Sequence, residues 1–388
     1  MNKFIFTAFC LLTIISTNYA QEHNPINIGF KDKLYSHTLN ETREFWVSLP
    51  DSYYEEGSSY KKYPVLIVLD GHVHFKPVTG MVNYMSSGYN GNLRIPEMIV
   101  AAIQNVNRRR DFTPDKIITT RKNDSGGGEN FLSFIEEELI PELDKKYRTV
   151  PYRILFGHSL GGLFVTHAYM KEQTLFNSFI AVDPSLGTWN AETMDKKLTA
   201  VTENSFKRFL YIASANWGKR NIRNRDRHIR LYESLNSKCK GEFPAKLEYF
   251  ENENHGSVPP IAFYKGITAI FNGYGISYRN ITSKEQLLQH FNQVSERLSW
   301  DFSPPESLIN RIGYHMLQSN REDDRNKAIE IFLLNTELYP LSYNAFDSLG
   351  EAYMVNGNTE LAIVNYKKSL ELNFNNENAK ATVKKLKK

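Results

Sequence analysis

Arg153-Ile154-Leu155-Phe156-Gly157-His158-Ser159-Leu160-Gly161-Gly162 is an apolar strand that runs into Gly-X-Ser-X-Gly and then into a helix. A serine hydroxyl is a weak nucleophile, so it has to stand at a sharp turn within reach of a base. Gly157 and Gly161 permit that turn by letting strand and helix approach without side chains between them. The Leu160 amide falls at the helix start, where it can donate to an oxyanion. Five matching residues are common by chance; the same five between a buried strand and a helix point to acyl transfer through Ser159.

Outward from this segment the chain alternates strand and helix signals. Tyr63 to Leu69 and Met98 to Ile103 are continuous apolar runs, the pattern of strands buried on both faces of a parallel sheet. Tyr152 to Phe156, Ser178 to Val182 and Phe209 to Ala213 continue the series, and Asn130 to Tyr147 carries Phe131, Phe134, Ile135, Leu139 and Leu143 on one helical face. The opening stretch from Asn27 to Pro50 alternates instead, as an antiparallel hairpin does. The predicted class is α/β, with a doubly wound, mostly parallel sheet.

Beyond about Asn272 the strand signals stop and a helical pattern repeats. Ala328 recurs as Ala362 and Phe332 as Tyr366, both 34 residues apart, and Ile312-Gly313 recurs as Leu349-Gly350 at 37. The period and Leu349-Gly350-X-X-Tyr353 resemble tetratricopeptide repeats. Two repeats are too few for independent stability, so they are expected to lean on the preceding unit through the helix near Glu285 to Leu298. The division expected is a leader at 1–20, a catalytic domain at 21–280, a linker helix at 281–302 and helical repeats at 303–388, the last supplying no catalytic group.

The chain has 388 residues, 41% hydrophobic and 23% charged, which fits a large and a small globular unit. Its net charge of +4, from 47 basic and 43 acidic residues, gives a mixed surface and no case for nucleic acid as a partner. Lys3 followed by the apolar run Phe4 to Ile15 and Ala20 reads as a cleaved export signal, too short for a span. The residue before Cys10 is Phe9, so lipid attachment is not expected, nor is a stable membrane anchor. The mature chain then keeps Cys239 alone and forms no internal disulfide. No metal-ligand spacing appears, and no cofactor is expected.

The base should follow the nucleophile at a late strand end, since the chain order in such enzymes is serine, acid, histidine. Among His167, His228, His255, His290 and His315, only His255 follows a short strand, Leu247 to Phe250, in a polar loop. The orienting acid stays open. Asp226 is the best-placed aspartate after the strand Phe209 to Ala213; Asp183, one strand earlier, and Glu233 are rivals, and a working Ser-His pair is a fourth alternative.

With these residues in view the chain resembles the esterases of the esterase D, enterochelin-esterase and feruloyl-esterase type. The resemblance covers about Leu34 to Asn272. It rests on Tyr63-Pro64-Val65 with Leu69-Asp70-Gly71, Asn107 to Asp111 with Thr113-Pro114, Gly127 to Phe131, Tyr147-Arg148-Thr149, Gly157 to Leu163, Pro184-Ser185-Leu186 and His255-Gly256-Ser257. It implies an α/β-hydrolase fold, a second oxyanion donor at the amide of Gly71 or His72, and Arg110, Trp189 and His158 on the substrate side. The chain departs from the family at Asp183, where a serine is usual, which keeps Asp183 in contention as the acid.

The function expected is therefore that of an exported, periplasmic or secreted serine esterase acting through an acyl-enzyme on Ser159. The substrate class is a small-molecule or carbohydrate ester, either a polysaccharide ester or a siderophore ester. The rival readings are a catalytically weak hydrolase-fold binding protein that presents its repeats to a protein partner, and an acyltransferase.

Overall fold

The computed structural model describes residues 26–388 except 90–92, 118–123, 172–173, 190, 203–205, 219–221, 240–244 and 388. The leader read at 1–20 lies outside the described residues. Among the described residues one sheet holds β1 (Phe30–Ser36), β2 (Glu41–Ser48), β3 (Tyr63–Val68), β4 (Ile99–Ile103), β5 (Thr149–His158), β6 (Ser178–Val182), β7 (Phe209–Ala215) and β8 (Ala245–Phe250). Their order is β1-β2-β4-β3-β5-β6-β7-β8. β1 and β2 form the antiparallel hairpin, β2 runs antiparallel to β4, and every other pairing is parallel.

Successive side chains of a strand point to opposite faces, and in β3 this splits the core in two. Leu66 and Val68 join a layer with α1 (Gly71–Ser86) and a later helix, Val258–Ile270. Val65, Ile67 and Leu69 join the opposite layer with α2 (Leu160–Met170), α3 (Ile222–Lys238) and the helical run Gly128–Lys146, whose middle turn Ile135–Leu139 is a π-helix. The helix Val258–Ile270 is named α4. A sheet covered on both faces explains why β3, β4 and β6 are wholly buried while β1 and β2 alternate.

After β3 the chain crosses to β4 on one side, then returns past β3 to β5 on the other. Such a reversal opens a crevice at the carboxyl ends of the two strands, where ligands bind in open α/β sheets. Ser159 follows β5 and the first turn of α1 follows β3, so both face that crevice.

The remaining chain is helical: α5 (Lys284–Leu298), α6 (Glu306–Leu317), α7 (Glu322–Leu338), α8 (Tyr343–Val355), α9 (Thr359–Leu372) and α10 (Glu377–Leu386). The repeated positions pack in the same way twice. A Cβ at Gly313 would lie 2.5 Å from the Phe332 ring, and one at Gly350 would lie 3.1 Å from the Tyr366 ring. Of these helices α5 to α8 share the core of the sheet, while Ala362, Tyr366, Ala379 and Val383 of α9 and α10 form a separate cluster. Leu287, Phe291, Val294 and Leu298 of α5, with Leu308, Ile309 and Ile312 of α6, sit in the same buried cluster as α1 and α4. Phe302 meets Tyr152 of β5 edge-on at 5.0 Å. Each buried side chain of this kind contributes roughly 1.5–3 kcal/mol. Across the seam Tyr60 donates to Glu306 and the Arg311 guanidinium to the Gly88 carbonyl.

Candidate active site

The turn carrying Ser159 is built by glycines. At Gly157 a Cβ would stand 2.6 Å from the Gly161 carbonyl group, and at Gly162 it would stand 2.8 Å from the Val182 carbonyl. Any side chain there would push β5, α2 and the β6 loop apart. Ser159 itself adopts φ 60°, ψ −116°, a conformation costing of order 1–3 kcal/mol for a residue with a Cβ. Its backbone is pinned by bonds from its amide to Val182 and from the Ser185 amide to its carbonyl. Those contacts offset the strain and present Oγ at the crevice.

His255 lies in the turn between β8 and α4. The Asn254 carboxamide accepts from the amides of Gly256 and Ser257, which fixes the turn. His255 Nε2 is 3.1 Å from Ser159 Oγ, and its Nδ1 is 2.6 Å from Asp183 Oδ2. Asp183 follows β6 directly and, at φ 40°, swings its carboxylate across the end of β7. There Oδ1 accepts from the Ala215 amide and Oδ2 from the Trp217 indole. Burial pushes the Asp183 pKa up, but hydrogen bonding from His255, the nearby His228, the Ala215 amide and Trp217 together hold it below the usual carboxylate range. An ionised Asp183 can only accept, so His255 carries its proton on Nδ1 and leaves Nε2 free to accept from Ser159.

The structure therefore corrects the expected acid. Asp226 and Glu233 both stand on the exposed side of α3, away from His255. The reason is that the segment after β7 becomes a helix, and the face it turns inward carries His228 instead. His228 is fully buried, with Nδ1 2.9 Å from Ser214 Oγ and Nε2 2.8 Å from the Pro184 carbonyl, and so supports the turn that holds Asp183.

The other expected residues divide. Leu160 opens α2 and Gly71 opens α1, with His72 next, so their amides belong to first helical turns that lack intrahelical acceptors. A Cβ at Gly71 would displace Gln104 Nε2, 2.2 Å away, and crowd the Ala102 carbonyl at 3.0 Å. His158 stacks on His255 with ring centroids 4.4 Å apart. Burial first, then the neighbouring charges of His255 and His74, pull the His158 pKa down to about 4. The Arg110 guanidinium is engaged by Glu41 and Asp111. Arg108 is the cation beside the elbow, bonded to both oxygens of Asp70 and to the His158 carbonyl. Trp189 is only 4% exposed, with its indole donating to Asp115.

Sequence reasoning missed Trp217, His228, Arg108 and Ser185, whose hydroxyl lies 3.2 Å from Ser159 Oγ. Trp217 had a weak signal, an aromatic residue in a polar segment just past a strand end. His228 had none, because a histidine on an amphipathic helix gives no hint of what it faces.

The model of a family described as "Putative esterase" matches residues 36–230. The chain belongs to this esterase family. It is a carboxylic ester hydrolase with a serine-hydrolase fold. It is 30% identical over 219 residues to "Ferri-bacillibactin esterase BesA" of Bacillus subtilis, covering 51% of this chain and 75% of that protein. It is 27% identical over 237 residues to "Apo-salmochelin esterase" of Escherichia coli, covering 53% of this chain and 70% of that one. The crystal structure of an IroE-like serine hydrolase from Shewanella oneidensis superposes with a TM-score of 0.69 at 26% identity, covering 80% of this esterase and 99% of its own chain. Among the described residues of the esterase no helix is long and apolar enough to cross a membrane.

Proposed function

We propose that this esterase is an exported serine hydrolase of siderophore-type esters, working through an acyl-enzyme on Ser159. The observation that carries the reading is the continuous chain from Ser159 Oγ through His255 to Asp183, at 3.1 and 2.6 Å, across the ends of β5, β8 and β6. His255 Nε2 takes the hydroxyl proton as Oγ attacks the ester carbonyl carbon. The negative charge that forms on the carbonyl oxygen is received by the Leu160 amide and the amides of Gly71 and His72. Collapse breaks the bond to the alcohol, which leaves with the proton from His255. Water then attacks the acyl group, His255 taking its proton, and Ser159 is restored.

The substrate class is supported by the likeness to the ferri-bacillibactin and apo-salmochelin esterases. It is also supported by exposed apolar side chains on the segments that follow the strand ends, Val73, Val106 and Ile261, with Arg108 near them in sequence. Such a rim favours a bulky, partly aromatic ester over a flat polysaccharide strand. Export rests on the leader at 1–20. The division at 21–280, 281–302 and 303–388 is likewise proposed, with the helical part as the surface for a protein partner.

The test is labelling with a fluorophosphonate, followed by hydrolysis of a catecholate trilactone and of feruloylated and acetylated polysaccharides, with products identified by mass. Labelling that Ser159→Ala abolishes, with turnover of the trilactone in preference to the polysaccharides, is expected. Preference for a polysaccharide ester would overturn the substrate class, and an unlabelled wild type would overturn the nucleophile. Fractionation of the producing cells and sequencing of the mature N-terminus test export.

A further inference from the structure

His255 is held by more than its two hydrogen bonds. One face of its ring lies against His158, at 4.4 Å between centroids, and Trp217 packs on it at 4.5 Å, both tilted by 41°. The same indole donates from Nε1 to Asp183 Oδ2 at 2.7 Å, the oxygen that also receives His255 Nδ1–H at 2.6 Å. The loop carrying Trp217 is stapled to the loop carrying His255: the Asn216 amide donates to the Glu253 carbonyl and the Asn216 carboxamide to the Glu251 carbonyl, at 2.8 and 2.7 Å. Trp217 nevertheless remains 40% exposed. A large aromatic ring that costs apolar burial and is anchored this closely calls for a role other than core packing.

We propose that Trp217 is a positioning residue for the base, a clamp that fixes the His255 ring plane and the Asp183 carboxylate at once. The reasoning rests on the acyl-enzyme reading above. Two donors on one carboxylate oxygen leave it no free direction for rotation toward water, so Asp183 presents a single acceptor geometry to His255. The indole face then denies the imidazole the ring flip that would carry Nε2 away from Ser159. Neither contact touches substrate atoms, which separates this role from that of Ser159 and His255.

Trp217→Phe keeps an aromatic face over His255 and removes the N–H. A hydrogen bond to a charged group contributes about 1.5–3 kcal/mol to holding Asp183 and His255 aligned, so without it the aligned fraction, and with it kcat, is expected to fall by up to roughly 10- to 100-fold. KM for a short-chain ester should change by less than about threefold, since binding and transition-state terms separate in this way. Trp217→Ala, which removes ring and donor, should lose more. The acidic limb of the kcat/KM profile should also move to higher pH, because Oδ2 with one donor fewer holds the imidazolium more firmly. The groups facing His255 are Asp183, Ser159 and His158, with His74 and the Asp70–Arg108 pair beyond His158, and His228 beyond Asp183. All are unchanged in the variant.

Wild-type kcat and an unmoved limb in folded Trp217→Phe would overturn the proposal while leaving the acyl-enzyme reading in place. If wild type fails to react with a fluorophosphonate, the acyl-enzyme reading is what fails, and the clamp is then judged by emission. Trp217 fluorescence should be quenched as the imidazole beside it protonates, in Ser159→Ala as in wild type. Equal pH dependence of emission in Ser159→Ala with and without Trp217→Phe, the other three tryptophans being common to both, would overturn the clamp on its own.

Discussion

Replacing Asp183 with Asn preserves size and removes one negative charge from a side chain that is 1% exposed. Three N–H donors converge on this carboxylate, His255 and Trp217 on Oδ2 and Ala215 on Oδ1. An amide has one acceptor, so either orientation sets its NH2 against a donor. With its oxygen toward Oδ2 the NH2 meets the Ala215 amide. Reversed, it meets the Trp217 indole and drives the His255 proton onto Nε2, where the ring no longer accepts from Ser159. One mispaired donor in each orientation makes them comparable, so the tautomer contributes a factor of only about two. The charge contributes more. As Ser159 loses its proton an imidazolium forms about 4 Å, centre to centre, from the carboxylate, an attraction of ~4 kcal/mol at an effective dielectric near 20. At about 1.36 kcal/mol per decade this is roughly a thousandfold in kcat, below the ~10⁴ reached when the acid of a protease triad is changed in the same way. The assay is steady-state hydrolysis of a p-nitrophenyl ester with the fluorophosphonate labelling rate, on protein whose thermal unfolding shows an intact fold. A loss under about tenfold, or a larger loss in Asp226→Asn than in Asp183→Asn, would refute the reasoning; Asp226→Asn is expected within about twofold of wild type.

Three further outcomes are expected. Ser159→Ala and His255→Ala should each reduce ester hydrolysis to a similar low rate, and the double variant should be no worse, because groups acting as one unit are non-additive; a much slower double variant would contradict a shared step. His158 titrates at about 4 in the fold against about 6.5 when unfolded, so the unfolded chain takes up its proton first as pH falls. Stability should therefore be full above about pH 6.5 and decline toward pH 4, and His158→Asn should flatten that slope in melting temperatures; parallel slopes would count against it. Gly313→Ala should destabilise by about 1–3 kcal/mol against the Phe332 ring, while Gly350→Ala, with looser contacts and the usual helical gain of alanine, should be near neutral in denaturant melts; the reverse order would refute the packing account.

How far the site was legible depended on how local its geometry is. The Gly157 to Gly162 segment carries its own turn signal, because Gly157 answers to a clash with Gly161 within the strand-turn-helix itself, so Ser159 and the Leu160 amide could be read directly. Buried parallel strands advertise themselves as apolar runs, and His255 stood out as the histidine in a polar loop after the short strand Leu247 to Phe250. The acid could not be ranked that way. Asp183 and Asp226 both follow strands, and the choice turned on two tertiary facts: a left-handed backbone that swings Asp183 over β7, and the early start of α3 that carries Asp226 to the surface. Arg108 and Arg110 are one residue from being interchangeable in sequence, and only the position of Glu41 on β2 and of Asp70 beyond β3 decided which cation stands at the elbow. The same holds for Trp217 and His228, whose partners lie 34 and 44 residues away. Contacts within a turn are encoded by neighbouring residues; contacts across strand ends are set by which strands lie side by side, and that order exists only once the sheet has formed.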